Sequence, residues 1–198
     1  MRLFVALRLE PELQQAVTAF QTRLRRLDSG AQVRWVEPQG MHLTLKFLGE
    51  VEPERLPALQ AGLDTAISGR TAPVLSLSLP GGFPNLRRPR VLWIGLVEEG
   101  THVLELQAAV EAEAARLGWE AEKRAFQPHL TLGRLKDIRG GASAEPPRQL
   151  VEAMSETSLS RAASITHPRV AIMQSHLSPS GARYEDIHSW RLICGGSA

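Results

Sequence analysis

Four residues in a row occur twice in this chain. His42-Leu43-Thr44-Leu45 returns as His129-Leu130-Thr131-Leu132, 87 residues further on in a sequence of 198. Each copy lies in a strand-like stretch, over 41–48 and 129–135, and runs toward a glycine, Gly49 or Gly133. Each also follows a turn and, further back, a helix. A repeat at nearly half the chain length limits the possible folds more than any compositional figure does. It predicts two related lobes, each too small to be robust alone.

Side chains alternate between the two faces of a strand. His42 and Thr44 therefore share one face, and Leu43, Leu45 and Phe47 the other; His129 and Thr131 stand likewise against Leu130 and Leu132. The leucines belong under helices, and the His–Thr pairs face a groove. If an approximate two-fold relates the lobes, both pairs line one central cleft. Strict alternation also points Lys46 into that groove and Arg134 away from it, unless a bulge at Gly133 or the end of the strand restores Arg134.

Two imidazoles with ordinary pKa values near ~6.5 can serve as one general base and one general acid at neutral pH. A threonine hydroxyl can donate to a phosphate oxygen. No nucleophilic cysteine or serine triad accompanies them. The set suits attack of water on a cyclic phosphodiester, one histidine taking the proton of water and the other protonating the departing ribose oxygen, with no metal and no cofactor. A metal site is disfavoured because neither tetrapeptide contains a carboxylate. A single His-x-Thr would be ordinary strand composition; the matched pair carries the functional reading. His102, His167, His176 and His188 read as surface or hairpin residues, with His176 a candidate for the cleft rim.

Periodicity fills in the rest. Residues 2–9 read as a strand and 11–27 as a helix opened by Pro11-Glu12, with Leu13, Val17, Phe20 and Leu24 on one face. Residues 33–36 form a short extended piece. A second helix carries Leu56, Leu59, Leu63 and Ile67, followed by a strand over 74–79, a loop over 80–89 and a strand over 91–97 containing Trp93. The clearest helix runs over 101–117 and stops at Gly118. Residues 137–149 read as a mobile loop, 147–155 as a short helix, and 166–177 and 182–192 as two strands joined by a hairpin turn over 178–181. The last four residues read as a disordered tail. This order does not alternate evenly, so the expected class is α+β, with helices packed on largely antiparallel sheets.

Composition adds exclusions. Hydrophobic residues make up 43% and charged residues 22%, as in ordinary globular proteins. The lone cysteine, Cys194, excludes an intramolecular disulfide and suits a reducing cytoplasm. The N-terminal apolar stretch is too short for a signal peptide, and no run approaches the ~20 apolar residues that cross a bilayer. Net charge is only +2, yet it is built from twenty arginines and three lysines, with arginine clusters at 23–26 and 87–90. Arginine offers a rigid donor fork suited to phosphate.

The doubled motif and its flanks resemble the 2H phosphoesterase superfamily, in particular the RNA 2′,3′-cyclic phosphodiesterases also known as 2′-5′ RNA ligases. The residues that carry the resemblance are 2–7, His42 to Gly49, Val91 to Gly95, Pro128 to Arg134, and Ser175 to Pro179 with Gly181 and Tyr184. It spans about 2–192, although 142–163 match poorly and carry no functional reading. The resemblance implies one bilobal domain over 1–198, each lobe a mainly antiparallel sheet flanked by helices, with both motifs in the central groove. It implies metal-independent hydrolysis of the 2′,3′-cyclic phosphate of RNA ends, or of small cyclic nucleotides, to a 2′-phosphate. Carried over, His42 is the proton donor and His129 the proton acceptor, Thr44 and Thr131 hold the phosphate, and Arg134 contacts it. Phe47 and Trp93 are candidates for stacking on a base, and Lys46 for reaching the groove. No protein partner is implied, and a monomer is expected. Two alternatives stay open: ATP-independent 2′-5′ joining of RNA ends at the same site, and a non-catalytic RNA- or nucleotide-binding module.

Overall fold

The computed structural model describes residues 1–137, 144–156, 169–178 and 181–194. In chain order the elements are β1 (Arg2–Arg8), α1 (Pro11–Leu27), β2 (Val33–Trp35), β3 (His42–Glu50), α2 (Leu56–Ile67), β4 (Leu75–Phe83), β5 (Val91–Glu98), α3 (His102–Arg116), β6 (His129–Leu135), α4 (Arg148–Glu156), β7 (Arg169–Ser178) and β8 (Gly181–Arg191). The local causes are those the sequence offers. Pro11 opens α1, Glu12 sits in its positive first turn and Arg25 and Arg26 in its negative last turn. Gly118, at φ +94°, follows the end of α3.

Every strand pairing is antiparallel, and the eight strands form one sheet in the order β4-β5-β6-β3-β1-β7-β8, with β2 also on β6. One face is covered. Leu3, Val5, Leu7, Leu43, Leu45, Leu130 and Leu132 pack there with the apolar stripes of all four helices in one buried cluster. Burial of each such side chain is worth roughly 1.5–3 kcal/mol. The other face carries only a small buried group, Phe4, Ala6, Ala171 and Met173, with Tyr184 against it. The sheet thus has a helical side and an open side, and the class is α+β.

The halves of the sheet are interleaved in sequence. One consists of β3, β1, β7 and β8; the other of β2, β6, β5 and β4. The helix after β1 does not stay with it. Gln21 of α1 reaches the carbonyls of Val36 and Leu132, beside β2 and β6. The α2–α3 pair serves the first half: Trp190 of β8 donates to Asp64 of α2, and Trp119, just past α3, donates to the carbonyl of Leu48. Between the halves the strand ladder consists of a single pair, Leu43 opposite Leu130.

Two expectations change. β4 extends to Phe83 through a register shift between Leu77 and Pro80, so residues 80–83, expected as loop, are strand. Pro80 is accommodated at that irregularity, where no regular ladder hydrogen bond is required of it. The second change concerns alternation in β3 and is described with the site. Residues 138–143 of the expected loop, 157–163 of the stretch 142–163, His167, the strand start at 166–168, the turn residues Pro179 and Ser180, and the tail 195–198 lie outside the described residues.

Candidate active site

His42 and His129 open their strands in the same way. A short turn, Pro38–Gly40, precedes β3, and His42 Nδ1 lies 2.7 Å from the Gly40 carbonyl oxygen. His129 Nδ1 lies 2.7 Å from the carbonyl of Gln127. A carbonyl only accepts, so Nδ1 carries the hydrogen in each neutral ring and Nε2 is left to work. Each imidazole is braced by two aromatic rings. His42 stands 4.7 Å from Phe4 and edge-on to Tyr184 at 5.0 Å. His129 stands edge-on to Phe83 at 5.0 Å and 5.9 Å from Trp93. Thr44 and Thr131 follow on the same face, opposite Ala6 and Trp93 of the neighbouring strands.

A bulge follows each motif. In β3 the register passes from Thr44 to Lys46 and skips Leu45; in β6 it passes from Thr131 to Gly133 and skips Leu132. The extra residue reverses the alternation. Phe47 therefore stands on the histidine face, 66% exposed and 6.1 Å from Phe4. Lys46 turns to the helical side, 6% exposed, where Nζ meets Glu111 of α3 at 2.6 Å and donates to the carbonyl of Glu120. Both placements correct strict alternation, which put Lys46 in the groove and Phe47 among the leucines. In β6 the same device brings Arg134 to the open face. Gly133, at the position of Lys46, has no side chain because β2 passes over it: a Cβ there would lie 2.5 Å from Val33 Cγ1.

Burial pushes the His42 imidazole down to about 4, opposed by the Gly40 carbonyl and assisted by the positive charges of Arg8 and of Arg134. Burial also lowers His129, with the Gln127 carbonyl opposing and Arg134 assisting. Burial raises the Tyr184 phenol, and Arg134 and Arg2 oppose that rise. The charge of Arg134 is thus felt at all three rings. Both imidazoles are therefore neutral at pH 7.

Trp93 lies over β4, where a Cβ on Gly81 would come within 2.2 Å of the indole. One face of that ring is occupied, whereas Phe47 has an open one. Phe4, Arg8, Phe83 and Tyr184 also belong to the site. Their composition does not mark them; the cross-strand registers that bring them in are long-range. His176 pairs with Glu185 at 3.3 Å, and its strand neighbour Ser175 is the one opposite Tyr184, so it faces away from the cleft rather than rimming it. His102 pairs with Glu98, and His188 packs on Trp190. Among the described residues no three His, Cys, Asp or Glu side chains are placed to hold a metal ion, and no helix is long and apolar enough to cross a membrane.

Comparison with known proteins agrees with this geometry. The LigT like Phosphoesterase family model matches twice, over residues 7–93 and again over 94–184. The RNA 2′,3′-cyclic phosphodiesterase of Methanothermobacter thermautotrophicus is 33% identical over 191 residues, covering 96% of this chain and 98% of that one. Among solved structures, a protein of Thermus thermophilus superposes with a TM-score of 0.71 at 30% identity, covering 97% and 98% of the two chains. Escherichia coli LigT, crystallised with 3′-AMP, gives a TM-score of 0.71 at 25% identity over 96% and 97%.

Proposed function

Because the chain belongs to the LigT-like phosphoesterase family, we propose that it is an RNA 2′,3′-cyclic phosphodiesterase that opens the cyclic phosphate of an RNA 3′ end, or of a small cyclic nucleotide, to a 2′-phosphate. The observation that carries the proposal is the meeting of two His-x-Thr strands at Leu43 and Leu130 on one open face, in a chain whose relatives over nearly its full length bear that activity in their names.

In the proposed reaction, His129 Nε2 accepts a proton from water as the water oxygen attacks phosphorus. The P–O3′ bond breaks, and the departing O3′ takes a proton from His42. Thr44 and Thr131 donate to the non-bridging oxygens, and Arg134 offsets their charge. His42 must be protonated for this role. Its low pKa arises chiefly from burial and then from the nearby positive charges; an anionic phosphate offsets those charges, so substrate raises it. Phe47 offers the base a stacking face, while Trp93 positions His129. The working unit in this proposal is a monomer, one bilobal domain. The single cysteine suits the reducing cytoplasm.

The test is end-group analysis of a cyclic-phosphate oligonucleotide incubated with the protein in excess EDTA. A 2′-phosphate product is expected, with His42→Ala and His129→Ala each slower by about 10²–10⁴-fold. A 3′-phosphate product, activity lost to EDTA and restored by a divalent ion, or full activity in either variant would overturn the mechanism.

A further inference from the structure

β2 lies beside the C-terminal half of β6, and Arg34 stands directly opposite Arg134. Opposed residues of an antiparallel pair point to the same face. Arg134 is on the open face because of the bulge after Thr131, so Arg34 is there too; its neighbours Val33 and Trp35 turn to the helical side. On the other edge of β6, the loop between β4 and β5 is tied down by the hydrogen bond from Leu135 N to the Arg90 carbonyl. That loop carries Arg87 and Arg88, whose backbone N–H groups both donate to Asn85 Oδ1. Arg34 and Arg134 on the open face, and the exposed Arg87, Arg88 and Arg90 in the loop beside the same end of β6, make five exposed arginines in a protein of net charge +2.

Other arginines do meet acids: Arg8 pairs with Asp186, Arg25 with Glu37, Arg116 with Glu113 and Arg148 with Glu152. None of these five makes a side-chain ion pair among the described residues. Like charges directly opposite across strands are destabilising. Such a pair, kept without a counter-charge, is suited to an anion supplied from outside. Arg34 lies one strand beyond Arg134 and is therefore set back from the reacting phosphorus.

We infer that Arg34, with the arginines of the 87–90 loop, binds the phosphodiester backbone of the RNA strand leading up to the cyclic end, so that the protein distinguishes an RNA terminus from a free cyclic mononucleotide. This rests on the proposed function for its direction, since the cleft must hold the terminal phosphate for the preceding one to reach Arg34. The two guanidiniums divide the work: Arg134 serves the terminal phosphate and Arg34 the next one in the chain. The exposed placement of the five suits a mobile single strand held mainly by charge.

The experiment compares kcat/KM on adenosine 2′,3′-cyclic phosphate and on a penta-adenylate with a 2′,3′-cyclic end, at several salt concentrations. Binding of a fluorescent penta-adenylate ending in 2′-phosphate is measured alongside. Arg34→Gln is expected to lower the oligonucleotide value about tenfold more than the mononucleotide value. It is also expected to make the salt dependence of oligonucleotide binding shallower by about 0.7 in the log–log slope, the contribution of one phosphate contact on a single strand. Arg34→Lys should recover most of that slope. Arg26→Gln, on the exposed side of α1, is the charge control and should alter neither substrate. Equal losses on both substrates, or an unchanged slope in Arg34→Gln, would overturn the inference. If the wild type opens neither cyclic phosphate, the functional reading fails, while the binding slope still decides the role of Arg34.

Discussion

At the scale of single residues, the most informative number is the pKa of His42. An unfolded chain protonates this histidine near ~6.5, whereas the folded protein holds it neutral down to about 4. The unfolded state therefore binds more protons within that window. Stability is flat above it and falls as pH drops through it, by a contribution on the order of 3 kcal/mol for His42. Denaturant unfolding at pH 7 and pH 4.5 should show a larger acid loss for the wild type than for His42→Gln; equal losses would mean that His42 is not held neutral by the fold. In NMR titrations the His42 ring should move in the same sense, titrating near 4 alone and higher with a nucleoside 2′-phosphate bound. The pair of histidines was legible in the sequence because the motif repeats. Its environment was not: Phe4, Phe83 and Tyr184 come from strands whose registers no local pattern encodes, and Arg8 reaches His42 only through the β1–β3 pairing.

At the scale of elements, the paired bulges decide which side chains serve the cleft. Helix and strand positions followed from periodicity because apolar spacing reports burial directly. The bulges escaped it because an added residue leaves the composition of a strand unchanged while inverting everything after it; Lys46 and Phe47 exchanged faces for that reason. At each skipped residue a helix adds a donor, and at Leu132 it joins the backbone N–H of Val36. Gln21 of α1, 1% exposed, donates to the Leu132 carbonyl at 2.9 Å and to the Val36 carbonyl at 2.7 Å. Gln107 of α3 stands 3.5 Å from the matching carbonyl of Leu45. Gln21→Leu would leave the Val36 carbonyl without its donor, at about 1–3 kcal/mol, and the Leu132 carbonyl with only the Val36 N–H. It should lower the denaturation midpoint and also raise KM, since the bulge that presents Arg134 loses its support. A stability loss with unchanged KM would separate Gln21 from the site.

At the scale of the whole molecule, the repeat predicted two lobes but not their interleaving. A sequence repeat shows which segments are alike, and leaves open which of them pair. β1 is central to its half and is held by β7, more than 160 residues away in the chain; α1 crosses to the other half. Neither half can be cut from the chain without losing a strand or a helix that completes it, so the two should unfold as one cooperative unit. Native-state hydrogen exchange tests this: the slowest amides of β1 and β3 should share one opening free energy with those of β5 and β6. A separate, lower value for either set would show independently stable lobes.

The lone strand pair between the halves, Leu43 with Leu130, adjoins both histidines in sequence. Any rocking of one half against the other turns about that point, as blades turn about a rivet. Points near a pivot travel least, so the spacing of the two imidazoles is nearly constant while Phe47 and Arg134, several residues further along their strands, sweep a wider arc. On the proposed roles, the chemistry sits at the axis and the grip at the rim, so a cleft that opened for a bulky polynucleotide end would keep the acid and the base together.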